Sequence, residues 1–236
     1  MQWTAEGLLI GVRRHGESSV IAEVMVEGRG RTLGLVRGGR SSKLAATLQP
    51  GNSVLVTWRA RLEDHLGSFV VEVTEARAAA LIADRIRLYA SQLLCEHLRL
   101  LPERDANDRL LGLAVRLLHA GPAALAETLL RFELTLLDEL GFGLDLSSCA
   151  VTGATSGLTH VSPRTGRAVS AAAAEPYRER LLRLPGFLVG AGVADSAALS
   201  DGFRLTAHFL ELNVWMPRSV DPPAVRDDLV RLLTVE

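Results

Sequence analysis

Residues 28–43 hold the side chains in this sequence best suited to grip an anion. Arg29, Arg31, Arg37, Arg40 and Lys43 fall in this stretch, which contains no carboxylate and has glycines at 28, 30, 34, 38 and 39. A guanidinium presents a planar pair of donors that matches phosphate oxygens, and an ammonium adds a point charge. Glycine lets a backbone approach an anion closely. Together these residue types suit a nucleic-acid backbone. Composition alone suits a solvated hairpin equally well, its charges keeping a barrel edge soluble. A mononucleotide cradle is excluded by spacing, because Gly34 to Arg40 does not supply GxxxxGK[ST] between a strand and a helix.

Catalysis finds little support. No HExxH or GxSxG set occurs, and His15, His65, His97, His119, His160 and His208 are scattered. Asp227-Asp228 follow a helix start, where acids favour the helix dipole. The other acidic pair, 63–64, falls in a different segment. Ser147-Ser148-Cys149 has no base nearby. No catalytic residue is expected, and the chain does not read as an enzyme. Cys95 and Cys149 are the two cysteines, too few for a disulfide scaffold or an all-cysteine zinc site. Thr152 stands where a zinc knuckle would carry a second cysteine. Neither a metal nor a cofactor is expected.

The 236 residues are 48% hydrophobic and 22% charged, with a net charge of −1 and only 5% aromatic residues. Near-neutrality excludes a uniformly basic coat, but binding depends on where charge sits. Lys43 is the one lysine among 26 basic residues, a skew that genome composition explains as well as function does. So few aromatics do not furnish a wide stacking platform for bases. No apolar run approaches the ~18–20 residues of a membrane helix. Residues 1–6 lack the features of a secretory leader, so the expected location is cytoplasmic, away from any membrane.

These residues need elements to position them. Alternation predicts strands at 6–13, 19–27, 31–37, 53–61 and 68–74, with turns at 27–30 and 50–52. Five short strands suggest a small closed barrel, with an SH3-like barrel as an open alternative. From Glu75 the period becomes helical. Pro102 ends a first helix, 108–119 forms a second, and Gly121-Pro122 opens a third that Gly141 closes. Residues 142–170 read as an irregular or hairpin region with apolar pieces at 158–161 and 167–169. Helices are expected again at 175–184, 196–215 and 222–234. The fold class is therefore α+β.

Four segments in order, 16–31, 36–56, 129–153 and 160–170, resemble the RecO family of bacterial recombination mediators. The resemblance implies a five-stranded OB-fold barrel over 1–78, a helical domain over 79–141, and a mixed region over 142–236 with a degenerate zinc-finger-like element. It implies a protein that binds single- and double-stranded DNA and anneals complementary strands. With RecR it would help load RecA onto DNA coated by single-strand-binding protein, whose acidic C-terminal tail it would contact. The family's basic segment matches 36–43, making Arg37, Arg40 and Lys43 the leading DNA contacts and Arg29 and Arg31 secondary ones. Zinc-bearing members carry two CxxC pairs; here Thr152 replaces one cysteine, and the second pair falls near Ser170 and Ala173. Phe132-Glu133 and Leu136-Leu137 match a family helix signature read as core packing. A protein-interaction scaffold and an RNA-binding OB-fold module are the competing readings.

Overall fold

The computed structural model describes residues 1–62 and 64–234. Of the acidic pair at 63–64, Glu63 lies outside the described residues. The chain forms two compact units that divide after His119. The three helices expected within 79–141 are thus shared out, two in the first unit and one in the second.

The first unit opens with β1 (Gln2–His15), β2 (Ser19–Val26), β3 (Gly30–Val36), the short α1 (Ser42–Thr47), β4 (Ser53–Arg59) and β5 (Ser68–Glu75). The strands close into a barrel in the order β1-β2-β3-β5-β4. The alternation seen in the sequence sets its interior: Val20, Ala22, Val24 and Val26 of β2 face Val54, Val56 and Trp58 of β4 across one core. β1 is longer than the expected 6–13, because one strand serves two partners. Its first half pairs with β4, Trp3 opposite Trp58, and its second half pairs with β2, Arg14 opposite Val20. β3 and β5 meet at a parallel rung, Leu35 with Ser68.

The outer side of β1 and β2 is buried as well, at Leu8, Ile10, Ile21 and Met25. Helices α2 (Ala78–Ile82), α3 (Arg85–Leu98) and α4 (Asp108–His119) follow the barrel, and α3 lies against β1. Arg99 donates to the Ile10 carbonyl at 2.5 Å and to Glu23 Oε2 at 3.0 Å. Beyond α3 the chain runs along β3, where the Arg104 N–H donates to Arg31 O at 2.9 Å. Gly30, at φ +66, permits this approach, since a Cβ there would lie 1.7 Å from the Asp105 carbonyl oxygen.

The second unit contains α5 (Pro122–Glu139), a three-stranded sheet of β6 (Leu158–Val161), β7 (Ala168–Ser170) and β8 (Leu182–Arg183), then α6 (Ala171–Ala174), α7 (Ser196–Leu210), α8 (Met216–Arg218) and α9 (Ala224–Thr234). A π-helical turn at Glu211–Trp215 joins α7 to α8. The helix expected at 175–184 is instead a 3-10 turn, Glu175–Arg180, followed by β8. Leu181 turns extended, and the Leu184 N–H donates to Thr159 O at 2.9 Å, drawing the chain into the sheet. In the core, Arg226 of α9 makes a two-pronged contact with Glu133 of α5, both distances 2.9 Å.

The degenerate zinc-finger-like element expected within 142–236 finds no support as a metal site. Among the described residues no three His, Cys, Asp or Glu side chains come together to hold a metal. The residues at the family's ligand positions do other work. The Ser170 N–H donates to Cys149 Sγ at 3.2 Å, and Thr152 also hydrogen-bonds the sulfur. Hydrogen bonds to a single sulfur close this turn, so the donor set does not fit zinc.

Candidate nucleic-acid interface

β3 ends at Val36, and a tight turn carries the chain into α1. The Gly39 N–H donates to Val36 O at 3.3 Å and the Ser41 N–H to Gly38 O at 2.9 Å. Ser41 Oγ accepts from the Leu44 N–H, capping α1 and setting Lys43 in its first turn. The Arg40 N–H donates to Ser18 O at 3.1 Å, and its guanidinium donates to the Glu17 carbonyl. The loop is thereby fastened to the β1–β2 turn, and Arg37, Arg40 and Lys43 all stand exposed.

Strand register adds cations that the linear sequence did not single out. Arg14 pairs with Val20, which pairs with Val36, so Arg14 lies two strands, roughly 10 Å, from the turn. Arg13, Arg14 and His15 are exposed. On the other side Leu35 pairs with Ser68, which pairs with the exposed Arg59. Glu17 is the only carboxylate in 13–20 and 37–43 taken together. The signal for these residues was a basic triplet immediately before the Gly16 turn. It acquires meaning only when the barrel places it beside the end of β3.

Arg29 and Arg31 do not join this rim. Arg31 sits at the start of β3, about 20 Å along the strand from Arg37, and Arg29 in the turn just before it. Arg31 turns its charge inward: Nη1 is 2.5 Å from Glu23 Oε1, Nε donates to Leu101 O at 2.9 Å, and Glu103 lies 3.7 Å away. It ties β3 to the chain beyond α3. Arg29 is exposed, its guanidinium 4.6 Å from the centre of the Trp3 ring. Two of the glycines serve packing rather than anion approach. Gly30 admits Asp105, and a Cβ at Gly34 would lie 2.4 Å from the Phe69 ring.

The two thiols are set apart by their surroundings. Hydrogen bonds from Ser170 and Thr152 lower the Cys149 pKa to about 6. Burial pushes Cys95 up to about 12. An array of exposed cations such as this rim can neutralise phosphates and displace condensed counterions.

Sequence comparison matches residues 1–77 to the family description Recombination protein O N terminal and residues 82–219 to Recombination protein O C terminal. The chain belongs to the recombination protein O family. A DNA repair protein RecO of Sinorhizobium medicae is 54% identical over 233 residues, covering 98% of this chain and 94% of the relative. Relatives of the same name from Methylobacterium nodulans and Mesorhizobium japonicum are 50% and 51% identical, covering 99% and 91% of their own lengths. A role in DNA repair and recombination goes with RecO family membership. Among the described residues no helix is long and apolar enough to cross a membrane.

Proposed function

We propose that this RecO family member binds single- and double-stranded DNA along the cationic rim and anneals complementary strands there. The observation that carries this reading is that Arg13, Arg14, Arg37, Arg40, Lys43 and Arg59, from β1, α1, β4 and the loop after β3, stand exposed around neighbouring strand ends. The closing order of the barrel supports an OB-fold over 1–78. In such barrels the face of strands 2 and 3 is the usual oligonucleotide surface. Here Glu23 and Arg31 of that face are taken up by Arg99 and the Leu101 carbonyl, which directs DNA to the rim.

Two complementary strands repel because each carries dense negative charge. A cationic rim neutralises phosphates, releases counterions and lowers the cost of bringing the strands together. Base pairing then selects the correct partner. No bond is made or broken, so no catalytic residue, metal or nucleotide is required. With RecR, the same protein would help pass single-strand-binding-protein-coated DNA to RecA, docking the acidic tail of the coating protein on a separate surface.

The test is annealing of complementary strands pre-coated with single-strand-binding protein. Wild type should accelerate it, and the folded triple variant Arg37→Ala, Arg40→Ala, Lys43→Ala should lose most of that acceleration. Equal annealing by the two proteins contradicts the assignment. Oligonucleotide binding absent at low salt favours the scaffold reading instead, and a marked preference for matched RNA favours the RNA-binding module.

A further inference from the structure

A second place on the first unit has the chemistry of a nucleic-acid contact without being part of the rim. Trp3, Gly28, Arg29, Thr32, Trp58 and Arg104 line a cavity of about 240 Å³. Trp58 is 2% exposed and fixed by its indole N–H, which donates to Leu66 O at 3.1 Å. The half-buried Trp3 stacks on Trp58 with ring centres 5.7 Å apart and planes inclined by 14°. Phe69 meets Trp3 edge-on at 6.2 Å. The Arg29 guanidinium lies over Trp3 at 4.6 Å, so two indoles and a guanidinium form a short stack.

The turn that carries Arg29 is fixed through its backbone, and the Arg104 guanidinium is itself hydrogen-bonded. The Arg29 N–H donates to Val26 O at 3.1 Å, and the neighbouring Gly28 N–H donates to Asp108 Oδ1 at 2.7 Å, pinning the turn. Arg104 is anchored through its backbone to Arg31 O, and its guanidinium donates to His65 O at 2.7 Å. A side chain already ordered loses less freedom when it binds. The cavity therefore has an aromatic floor, a flat cationic face and a second cation beside it.

We infer that this cavity takes one unpaired nucleobase of a single DNA strand, stacked against Arg29, with the adjoining phosphate near Arg104. Flat guanidinium and indole groups stack on any base, because every base has a π-face. The cavity is smaller than the pockets that hold drug-sized ligands, which suits one ring system rather than a run of bases. A base inside a duplex is already stacked and out of reach. The rim then supplies affinity blind to strandedness, and the cavity adds a preference for strands not yet paired. This inference rests on the DNA-binding reading above.

Arg29 is exposed on a turn, so Arg29→Lys should fold while keeping the charge and losing the planar face. The experiment compares binding of a thymidine oligonucleotide with an abasic oligonucleotide of equal length and charge, across a salt series. Wild type should prefer the normal strand by about 5- to 150-fold, the range expected for one stacked base. Arg29→Lys should bring that ratio close to one with the salt slope unchanged. Equal binding of the two strands by wild type, or a wild-type ratio retained by Arg29→Lys, overturns the base site while leaving the rim intact. Binding of neither strand by wild type overturns the DNA-binding reading as well.

Discussion

Cys149 is 2% exposed, yet its sulfur sits among donors instead of among hydrocarbon. Ser170 and Thr152 stabilise the thiolate and lower the pKa to about 6, so at pH 7 the charged form dominates. Cys95 is equally hidden, but nothing comparable supports its thiolate, and burial holds it near 12. Thiolate is the reactive form. Alkylation with a small reagent should therefore label Cys149 with a rate that climbs through about pH 6 and levels off, while Cys95 stays silent at pH 7. Mass spectrometry of the labelled peptides checks this, and Cys149→Ser should abolish the neutral-pH label. A rate still rising steeply above pH 8 would contradict the hydrogen-bonded thiolate. The sequence already marked Thr152 as the residue standing where a second ligand would be. Its donation to the sulfur was not legible, because that depends on the turn that returns Ser170 to Cys149.

The buried Glu133–Arg226 pair joins α5 to α9, with Thr206 of α7 donating to Glu133 Oε2 at 2.5 Å and accepting from Arg226 at 3.0 Å. Burial disfavours the Arg226 charge, and the Glu133 carboxylate more than offsets this, so its pKa is raised. Removing one partner strands the other charge in the core. Glu133→Ala should cost about 3–5 kcal/mol, whereas Glu133→Leu with Arg226→Met should recover most of the loss. Denaturant midpoints of the second unit's transition distinguish the cases, and a double variant no better than the single would refute the explanation. Periodicity shows Phe132 and Leu136 as core residues but gives no sign that Glu133 meets a residue 93 positions away. The barrel strands were readable because their period of two matches one buried face. The burial of the outer side of β2 was not, since Ile21 and Met25 alternate with core valines and look like the solvent side. The sequence predicts a helix over 175–184. β6 reclaims its end, 182–184, through tertiary hydrogen bonds that local propensity cannot anticipate.

At the scale of the whole molecule, a net charge of −1 coexists with a rim of exposed cations around one barrel edge. The arginine-rich stretch at 28–43 announced a patch, but the fold divides it. Arg31 is neutralised by Glu23 and Glu103, Arg29 is recruited to an aromatic stack, and the remaining three join Arg13, Arg14 and Arg59. Total charge is then a poor guide to binding, and the response to salt is a better one. The most direct measurement is the slope of log affinity against log salt for single-stranded DNA, comparing wild type with Arg37→Ala, Arg40→Ala, Lys43→Ala. Each lost phosphate contact removes about 0.7 from the slope, so the folded variant should bind more weakly with a slope flatter by about two. An unchanged affinity and slope would contradict contact between this rim and DNA.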